Sequence, residues 1–422
     1  MIIWLIQRSE PTPHDNNGMQ RLMRTGILAT ELCDRGHQVL WWTSTFDHYN
    51  RRHRFNKDRK IQVRKGFEIQ YLRGIGYKKN VSLSRIIDNN LVAAKFKNLA
   101  SKEKILPDLI LSSIPTSELS LEATKLGRKN NIPVILDIRD LWPDVFLDVL
   151  PKFFSRVYPL FSRFMERKVK LSCRNANYIT GITNKFVDWG VNHAGRDRKK
   201  YDQEFKLGYL PPEITKNELE RGFKYWESIG LRQNNNELII SFIGTVGNVF
   251  DFEPIVEAAK ILSNHNSNIK FVISGNGEKL EYLKNKCKNL KNIIFTGWIF
   301  KYQILSLLKI SDIGIAPYMP IPSFLETISN KAAEYLFGSL PIALSVNKGP
   351  LFKLLRQNNA GIFYGGSGEK LAQELLILSK DKKTLINLKN QAFYTYEKFL
   401  DGKIIYSKFI NYLEFLAGKD AN

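Results

Sequence analysis

Apolar residues fall into two alternating patterns along this chain. Short unbroken apolar runs occur at 2–7 (IIWLIQ), 38–44 (QVLWWTS), 107–113 (PDLILSS), 133–139 (PVILDIR) and 177–183 (NYITGIT). Between them lie stretches in which apolar residues return every three or four positions, such as 19–39, which closes on Arg35-Gly36-His37. The runs read as strands and the stretches as helices. Strands buried on both faces and separated by helices predict a parallel sheet covered on two sides.

The pattern pauses at Pro211-Pro212 and restarts. Strand-like runs recur in ELIISFIGTVG (237–247), IKFVISGNGE (269–278), NIIFTGWIF (292–300), DIGIAPY (312–318), LPIALSV (340–346) and AGIFYGG (360–366), again with helical stretches between them. This predicts an α/β chain with two Rossmann-like doubly wound domains, residues 1–208 and 209–395, facing a cleft at the carboxyl ends of their strands. The Phe- and Tyr-rich tail 396–422 reads as a helix packed against a domain.

Composition narrows the class. The chain has 422 residues, 43% of them hydrophobic and 12% aromatic, which is ample for two cores. Cys33, Cys173 and Cys287 are too far apart for a disulfide framework or metal site, and a reducing cytoplasm suits them. The first apolar run has no basic residues before it and is too short for a signal peptide or membrane span. Residues 1–210 carry 37 Lys and Arg against 21 Asp and Glu, and the remainder 26 against 20, so most of the net +22 sits in the first half. That asymmetry suggests an anionic partner for the first half. No nucleic-acid-binding module is evident, so nucleic acid is not expected as that partner.

Candidate chemistry gathers in the second half. GTVGN, with Gly244, Thr245 and Gly247, and SGNGE, with Gly275 and Gly277, each follow a strand and precede a helix. Glycine there lets a ligand approach the backbone, although a tight turn is an equally local explanation. FLETISNKAAEYLF (324–337) places Ser329 or Asn330 as an N-cap, with Glu326 in the loop before it and Glu334 about one turn inside. First-turn amides and Lys331 can hold phosphate oxygens, and carboxylates can accept bonds from paired hydroxyls. The alternative is a capped surface helix whose acid suits the dipole. In the first half, Gly18 and Arg21 after the first strand, and Arg139 and Asp140 in DIRDLWPD, are positioned for an acceptor, while Trp142 and Pro143 read as packing. HYNRRHRFNKDRK (48–60) reads as a cationic loop.

RGHQV, DIRDLWPD, FIGTVG, SGNGEKLEYL, the Glu326-x7-Glu334 spacing around SNK and YEKFLDGKIIYSKFINYL together resemble GT-B glycosyltransferases of the family 4 type. The similarity extends to the fucosaminyltransferase-like branch that builds bacterial surface polysaccharides such as O-antigen, capsule and lipopolysaccharide. The resemblance implies a GT-B fold whose C-terminal helix crosses back to the N-terminal domain. It implies a retaining transferase that uses a nucleotide diphosphate sugar, a UDP-sugar above others, with no metal and no cofactor. Glu326 would contact the transferred hexose or N-acetylated amino sugar and Glu334 the ribose. Lys331 and the amides of 244–247 would hold the diphosphate and the Gly297-Trp298-Ile299 loop the base, with Gly275, Gly277, Ile328, Ser329 and Asn330 also at the donor. The acceptor would be a glycan or a polyprenyl-diphosphate-linked sugar.

Two departures stand out. Many relatives carry Arg or Lys in or just after the first Gly loop, where this chain has Thr245 and Asn248. Many also carry His after the third strand of the first domain, where SSIPTSE stands, so no general base is nominated. A lipid-linked acceptor would draw the enzyme to the inner face of the cytoplasmic membrane as a peripheral protein. The basic aromatic stretch 152–170, including Phe153, Phe154, Arg156, Val157, Leu160, Phe161 and Phe164, suits an anionic surface. Core packing with a solvated basic face is its alternative. A nucleotide-sugar epimerase of the same architecture and a non-catalytic membrane or nucleic-acid-binding basic protein are the rival classes. Neither Gly loop completes G-x-G-x-x-G, which disfavours a dinucleotide-dependent oxidoreductase.

Overall fold

The computed structural model describes residues 1–15, 21–79, 82–144, 158–232, 237–265 and 267–419. The chain divides into two compact units, Met1–Lys206 with Lys403–Asn422, and Leu207–Gly402. The boundaries expected from the sequence are 208 and 395; the units divide after Lys206 and after Gly402.

In the first unit the strands are β1 (Ile2–Ile6), β2 (Gln38–Ser44), β3 (Phe46–Asp47), β4 (Arg52–His53), β5 (Arg59–Arg64), β6 (Phe67–Leu72), β7 (Leu109–Ile114), β8 (Val134–Ile138), β9 (Tyr178–Gly181) and β10 (Gln203–Glu204). An eight-stranded sheet among the described residues runs β10-β9-β8-β7-β1-β2-β6-β5, parallel except that β5 pairs antiparallel with β6. The parallel sheet expected from the sequence is present, with β5 added at its edge as an antiparallel strand. β5 alternates exposed and half-buried positions, as an edge strand open to water on one face must. It also shows that the basic stretch 48–60 is partly built structure: Arg54 is buried and holds Asp15 at 2.6 Å.

The sheet is covered by aromatic packing. Trp42 lies 5.2 Å from Trp4 and meets Phe96, on helix Leu83–Ala100, edge-on at 5.0 Å. Helix Tyr158–Asn175 places Pro159 in its first turn, where a missing amide hydrogen costs nothing. Its Met165, Val169 and Cys173 are buried, while Phe164 is exposed beneath the ammonium of Lys168 at 4.2 Å. Phe153, Phe154, Arg156 and Val157 lie outside the described residues. Helix Gly402–Lys419 belongs to this unit: Phe409 stacks on Phe205 at 4.2 Å, and Tyr412 donates to the Tyr201 carbonyl at 2.8 Å. Among the described residues no helix is long and apolar enough to cross a membrane.

The second unit holds β11 (Leu238–Ile243), β12 (Ile269–Ser274), β13 (Ile293–Gly297), β14 (Ile313–Ala316), β15 (Ile342–Leu344) and β16 (Gly361–Phe363), all parallel, in the order β13-β12-β11-β14-β15-β16. Read from its own first strand this is the doubly wound order 3-2-1-4-5-6, with the reversal of winding between β11 and β14. Loops after those two strands diverge at that point, and open sheets of this kind bind ligands there.

Candidate functional site

The segment that follows β14 packs onto the switch point. Helix Asn330–Phe337 is capped by Ser329, whose hydroxyl accepts from the Ala332 amide at 3.3 Å. The hydroxyl of Tyr335 on this helix accepts from the Ile243 amide at 2.8 Å, and its ring fills the space over Gly314 in β14. Tyr318 stacks on Phe324 at 4.3 Å and hydrogen-bonds Ser329, and burial pushes its hydroxyl up to about 12. These contacts fix the helix start against the end of β11.

Lys331 and Glu334, three positions apart, share one helix face. Lys331 is 9% exposed, and its ammonium lies 3.5 Å from the centre of the Phe242 ring and 4.2 Å from that of Phe250. It also reaches the first Gly loop: a Cβ on Gly244 would stand 3.0 Å from Nζ. Lys331 therefore places a cation beside the first Gly loop, where Thr245 and Asn248 carry none. Glu334 is fully buried, and Ile328 nearly so, while Glu326 is half-buried at the end of the short helix Pro322–Leu325.

The two Gly loops lock onto each other. Gly244 accepts nothing bulkier because φ is +151°, and Gly275, at φ +134°, faces the Gly244 carbonyl so closely that a Cβ would lie 1.8 Å from its oxygen. Gly277 meets Val246 in the same way. The loops continue the sheet: Gly244 N–H donates to Ser274 O at 2.9 Å, Val246 N–H to Asn276 O at 2.9 Å and Gly275 N–H to Gly297 O at 2.7 Å. Of the 244–247 amides expected to hold a diphosphate, those of Gly244 and Val246 are therefore used internally, whereas Thr245 and Gly247 donate no hydrogen bond among the described residues. Asn248 is exposed and donates to Glu278 at 2.6 Å. Beyond β13, Trp298 is 40% exposed and Ile299 is buried beside it.

The first-unit candidates are scattered. Gly18 lies outside the described residues. Arg21 is half-buried within electrostatic reach of Tyr49. Arg139, nominated for an anion, is buried and paired to Asp137 at 2.7 Å and to Glu10, with Thr25 at 2.8 Å. Arg24 holds the other side of Asp137 at 3.0 Å and lies 4.6 Å over Phe409. Although burial alone would raise it, the Arg24 and Arg139 guanidiniums hold the Asp137 carboxyl below the usual carboxylate range. In DIRDLWPD, then, Asp137 and Arg139 knit the unit together, and Asp144 accepts the Trp189 indole N–H at 2.7 Å. Asp140 is felt electrostatically by Arg85, which lies 4.6 Å over Trp142.

Sequence reasoning missed a cluster formed by Arg8, Arg51, Arg85, His48 and Tyr77. Its nearest signal is Arg8, a cation directly after an apolar strand end, where a solvated residue is not required. His48 Nδ1 lies 2.7 Å from the Tyr77 hydroxyl, and burial together with Arg85, Arg51 and Arg8 lowers its pKa to about 3. An unfolded chain protonates His48 below about pH 6.5, which the folded chain resists, so acidification from 6.5 towards 3 removes stability. Urea unfolding at pH 5 is expected to give a stability about 1–2 kcal/mol below that at pH 7.5, after allowance for partial screening. In His48→Asn that difference should shrink; an unchanged pH slope would show that His48 is not its source.

A cavity of about 950 Å³ opens elsewhere on the first unit, lined by Ile2, His37, Lys60, Lys65 and Glu103. These residues flank the amino ends of β1, β2 and β6, opposite to where open sheets bind ligands.

Residues 228–394, inside the second unit, match the profile of the glycosyl transferases group 1 family. An uncharacterized glycosyltransferase of Methanocaldococcus jannaschii is 28% identical over 148 residues, which are 34% of this chain and 35% of that protein. The chain therefore spans about a third of the length of that relative. Sucrose-phosphate synthase of Thermosynechococcus elongatus is similar in structure, with a TM-score of 0.70 at 14% identity over 99% of this chain and 100% of the other. Anabaena HepE, solved in complex with UDP-glucose, gives 0.64 at 12% identity over 98% and 99%. The fold is GT-B. The Gly loops, Lys331 and Glu334 all belong to the matched span.

Proposed function

We propose that this chain transfers a glycosyl group from a nucleotide diphosphate sugar, with retention, to a hydroxyl of a glycan or polyprenyl-diphosphate-linked acceptor in surface-polysaccharide assembly. The observation that carries the reading is Lys331, a buried cation brought to the first Gly loop at the winding reversal of the second unit. HepE's complex with UDP-glucose favours a UDP-sugar as donor. In this reading Lys331, with the amides of Thr245 and Gly247, stabilises charge that develops on the departing diphosphate. Ser329 and Asn330 order the helix start, Glu334 accepts from ribose hydroxyls, Glu326 from the sugar, and Ile328, Trp298 and Ile299 flank the base. The bond from the anomeric carbon to the diphosphate oxygen breaks, and its electron pair leaves with the diphosphate. The acceptor oxygen bonds to that carbon on the same face, and its proton passes to the departing phosphate oxygen. The basic first half and exposed Phe164 suit attachment to an anionic leaflet.

A ligand that binds only the folded state raises its melting temperature. A panel of UDP, GDP, ADP and their sugars should therefore show one family of nucleotides that raises it. Lys331→Met keeps an adaptable side chain over Phe242 and Phe250 and is expected to weaken nucleotide diphosphate binding about tenfold or more. Unaltered affinity in a folded Lys331→Met chain would remove the donor assignment. Product analysis separates transfer from epimerisation, since an epimerase converts the donor with no acceptor present.

A further inference from the structure

The helix Leu83–Ala100 turns an apolar stripe outward. Its inner face buries Val92, Phe96 and Ala100 in the core of the first unit, whereas Leu83, Ile87 and Leu91, spaced four apart, are 77%, 51% and 40% exposed. A neighbouring helix extends the stripe. Lys168, on helix Tyr158–Asn175, donates to the Asn90 side chain at 2.6 Å, and the Phe164 ring, 59% exposed, has its centre 4.2 Å from the same ammonium. Lys168 thus ties Phe164 to the flank of Leu91. Single exposed apolar residues are ordinary on a protein surface, but a contiguous group of large ones marks a surface that another body covers.

The charge around the stripe decides what that body is. On helix Tyr158–Asn175 the exposed positions include Arg163, Arg167, Lys170 and Arg174. Lys78 and Lys79 are exposed just before Leu83, and the Ser82 hydroxyl donates to the Lys79 carbonyl at 2.9 Å, which holds that turn at the helix start. The acids of the two helices are Asp88, which is buried and bound by Arg8, and Glu166, which is half-buried and bonded by the Ser162 hydroxyl at 3.3 Å. Exposed cations therefore flank the stripe, and neither helix presents an exposed acid. A second copy of this chain would bring the same cations face to face, which Coulomb repulsion opposes. Nucleic acid would meet the cations but gives no reason for Leu83, Ile87 and Leu91, since its affinity comes from phosphate charge. Lipid satisfies both: apolar side chains enter the boundary between headgroups and acyl chains while the cations meet lipid phosphates. The two helices follow β6 and β8 and so begin at the carboxyl end of the parallel sheet, the end at which open sheets receive ligands.

We infer that Leu83, Ile87, Leu91 and Phe164, ringed by Lys78, Lys79, Arg163 and Arg167, form the surface by which the first unit docks on an anionic phospholipid leaflet. That this leaflet also carries the acceptor rests on the transferase reading; the docking surface does not. Of the aromatic stretch 152–170, Phe164 alone enters the surface among the described residues, and most of the apolar area comes from the earlier helix Leu83–Ala100.

Co-sedimentation of the full chain with vesicles tests this. Vesicles of phosphatidylglycerol in phosphatidylcholine are expected to hold the chain about tenfold or more tightly than vesicles of phosphatidylcholine alone. Ile87→Gln combined with Leu91→Gln should weaken binding to the anionic vesicles about tenfold or more, and Arg163→Gln combined with Arg167→Gln by a similar factor. All four side chains are exposed, so both variants are expected to keep the parent's melting temperature. Ile377→Gln combined with Ile386→Gln removes two exposed isoleucines of the second unit and is the control, with an affinity within about twofold of the parent. Absence of binding by the parent, or unaltered affinity in the folded Ile87 and Leu91 variant, would overturn the surface. An equal loss in the control would overturn its location. A parent dimer that the Ile87 and Leu91 changes split would assign the stripe to a second copy, and duplex DNA held more tightly than the anionic vesicles would assign the cations to nucleic acid; either would overturn lipid as the partner. Failure of the transferase reading shows separately, as absence of UDP binding by the parent chain, which docking on vesicles does not require.

Discussion

Glu334→Gln is expected to lower turnover of a nucleotide sugar about a hundredfold while leaving the melting temperature unchanged or higher. Glu334 is fully buried in a helix whose Ala332, Ala333, Tyr335 and Leu336 are buried as well, with Lys331 one turn before it on the same face. A carboxylate is rarely held in such a place, because burying the charge costs more than burying the amide that could replace it. Glutamine keeps the shape and removes the charge, so a merely structural role predicts no loss of activity. As the ribose partner, Glu334 would form charge-assisted bonds worth about 1.5–3 kcal/mol each, and each 1.36 kcal/mol is about tenfold in rate. The measurement is initial-rate kinetics beside a thermal melt. Turnover within threefold of the parent would remove Glu334 from the site, and a loss of activity matched by a loss of fold would assign it to the core.

The largest effect on stability is expected at Gly275. Its φ of +134° is one that residues with a side chain rarely adopt, and the Cβ of an alanine would stand 1.8 Å from the Gly244 oxygen. Backbone sits on both sides of the contact, so no flexible side chain can yield. Gly275→Ala should destabilise the second unit by about 4 kcal/mol and lower its melting temperature by about 10 °C. Since the same contact sets the path of the first Gly loop beside Lys331, nucleotide binding should fall with it. Gly247→Ala is the comparison: its Cβ would meet little more than the Thr245 methyl, at 3.5 Å, and the expected change in stability is small. Equal melting temperatures for the parent and Gly275→Ala would mean that the loops are not locked in this way.

Much of the second unit was legible because its signals are local. Apolar runs marked β11 to β16, and Ser329 marked a helix start that its own hydroxyl caps. The Glu326 and Glu334 spacing placed one acid before that start and the other one turn inside. The antiparallel β5 was not legible: its alternation is short and its sequence, RKIQVR, is basic enough to read as loop. Nor did the Gly loops reveal that two of their amides serve the neighbouring strand ends.

What the sequence determined by itself is therefore the alternation of strand and helix and the capped helix bearing Lys331. Each follows from periodicity and backbone preference within a few residues. Only the tertiary structure decided that Lys331 rests on Phe242 and Phe250, that Arg139 is consumed by Asp137 and Glu10, and that Arg8, Arg51 and Arg85 meet at Tyr77. Those contacts join segments far apart in the chain, and sheet order, which hydrophobic periodicity does not encode, chooses which strand ends become neighbours.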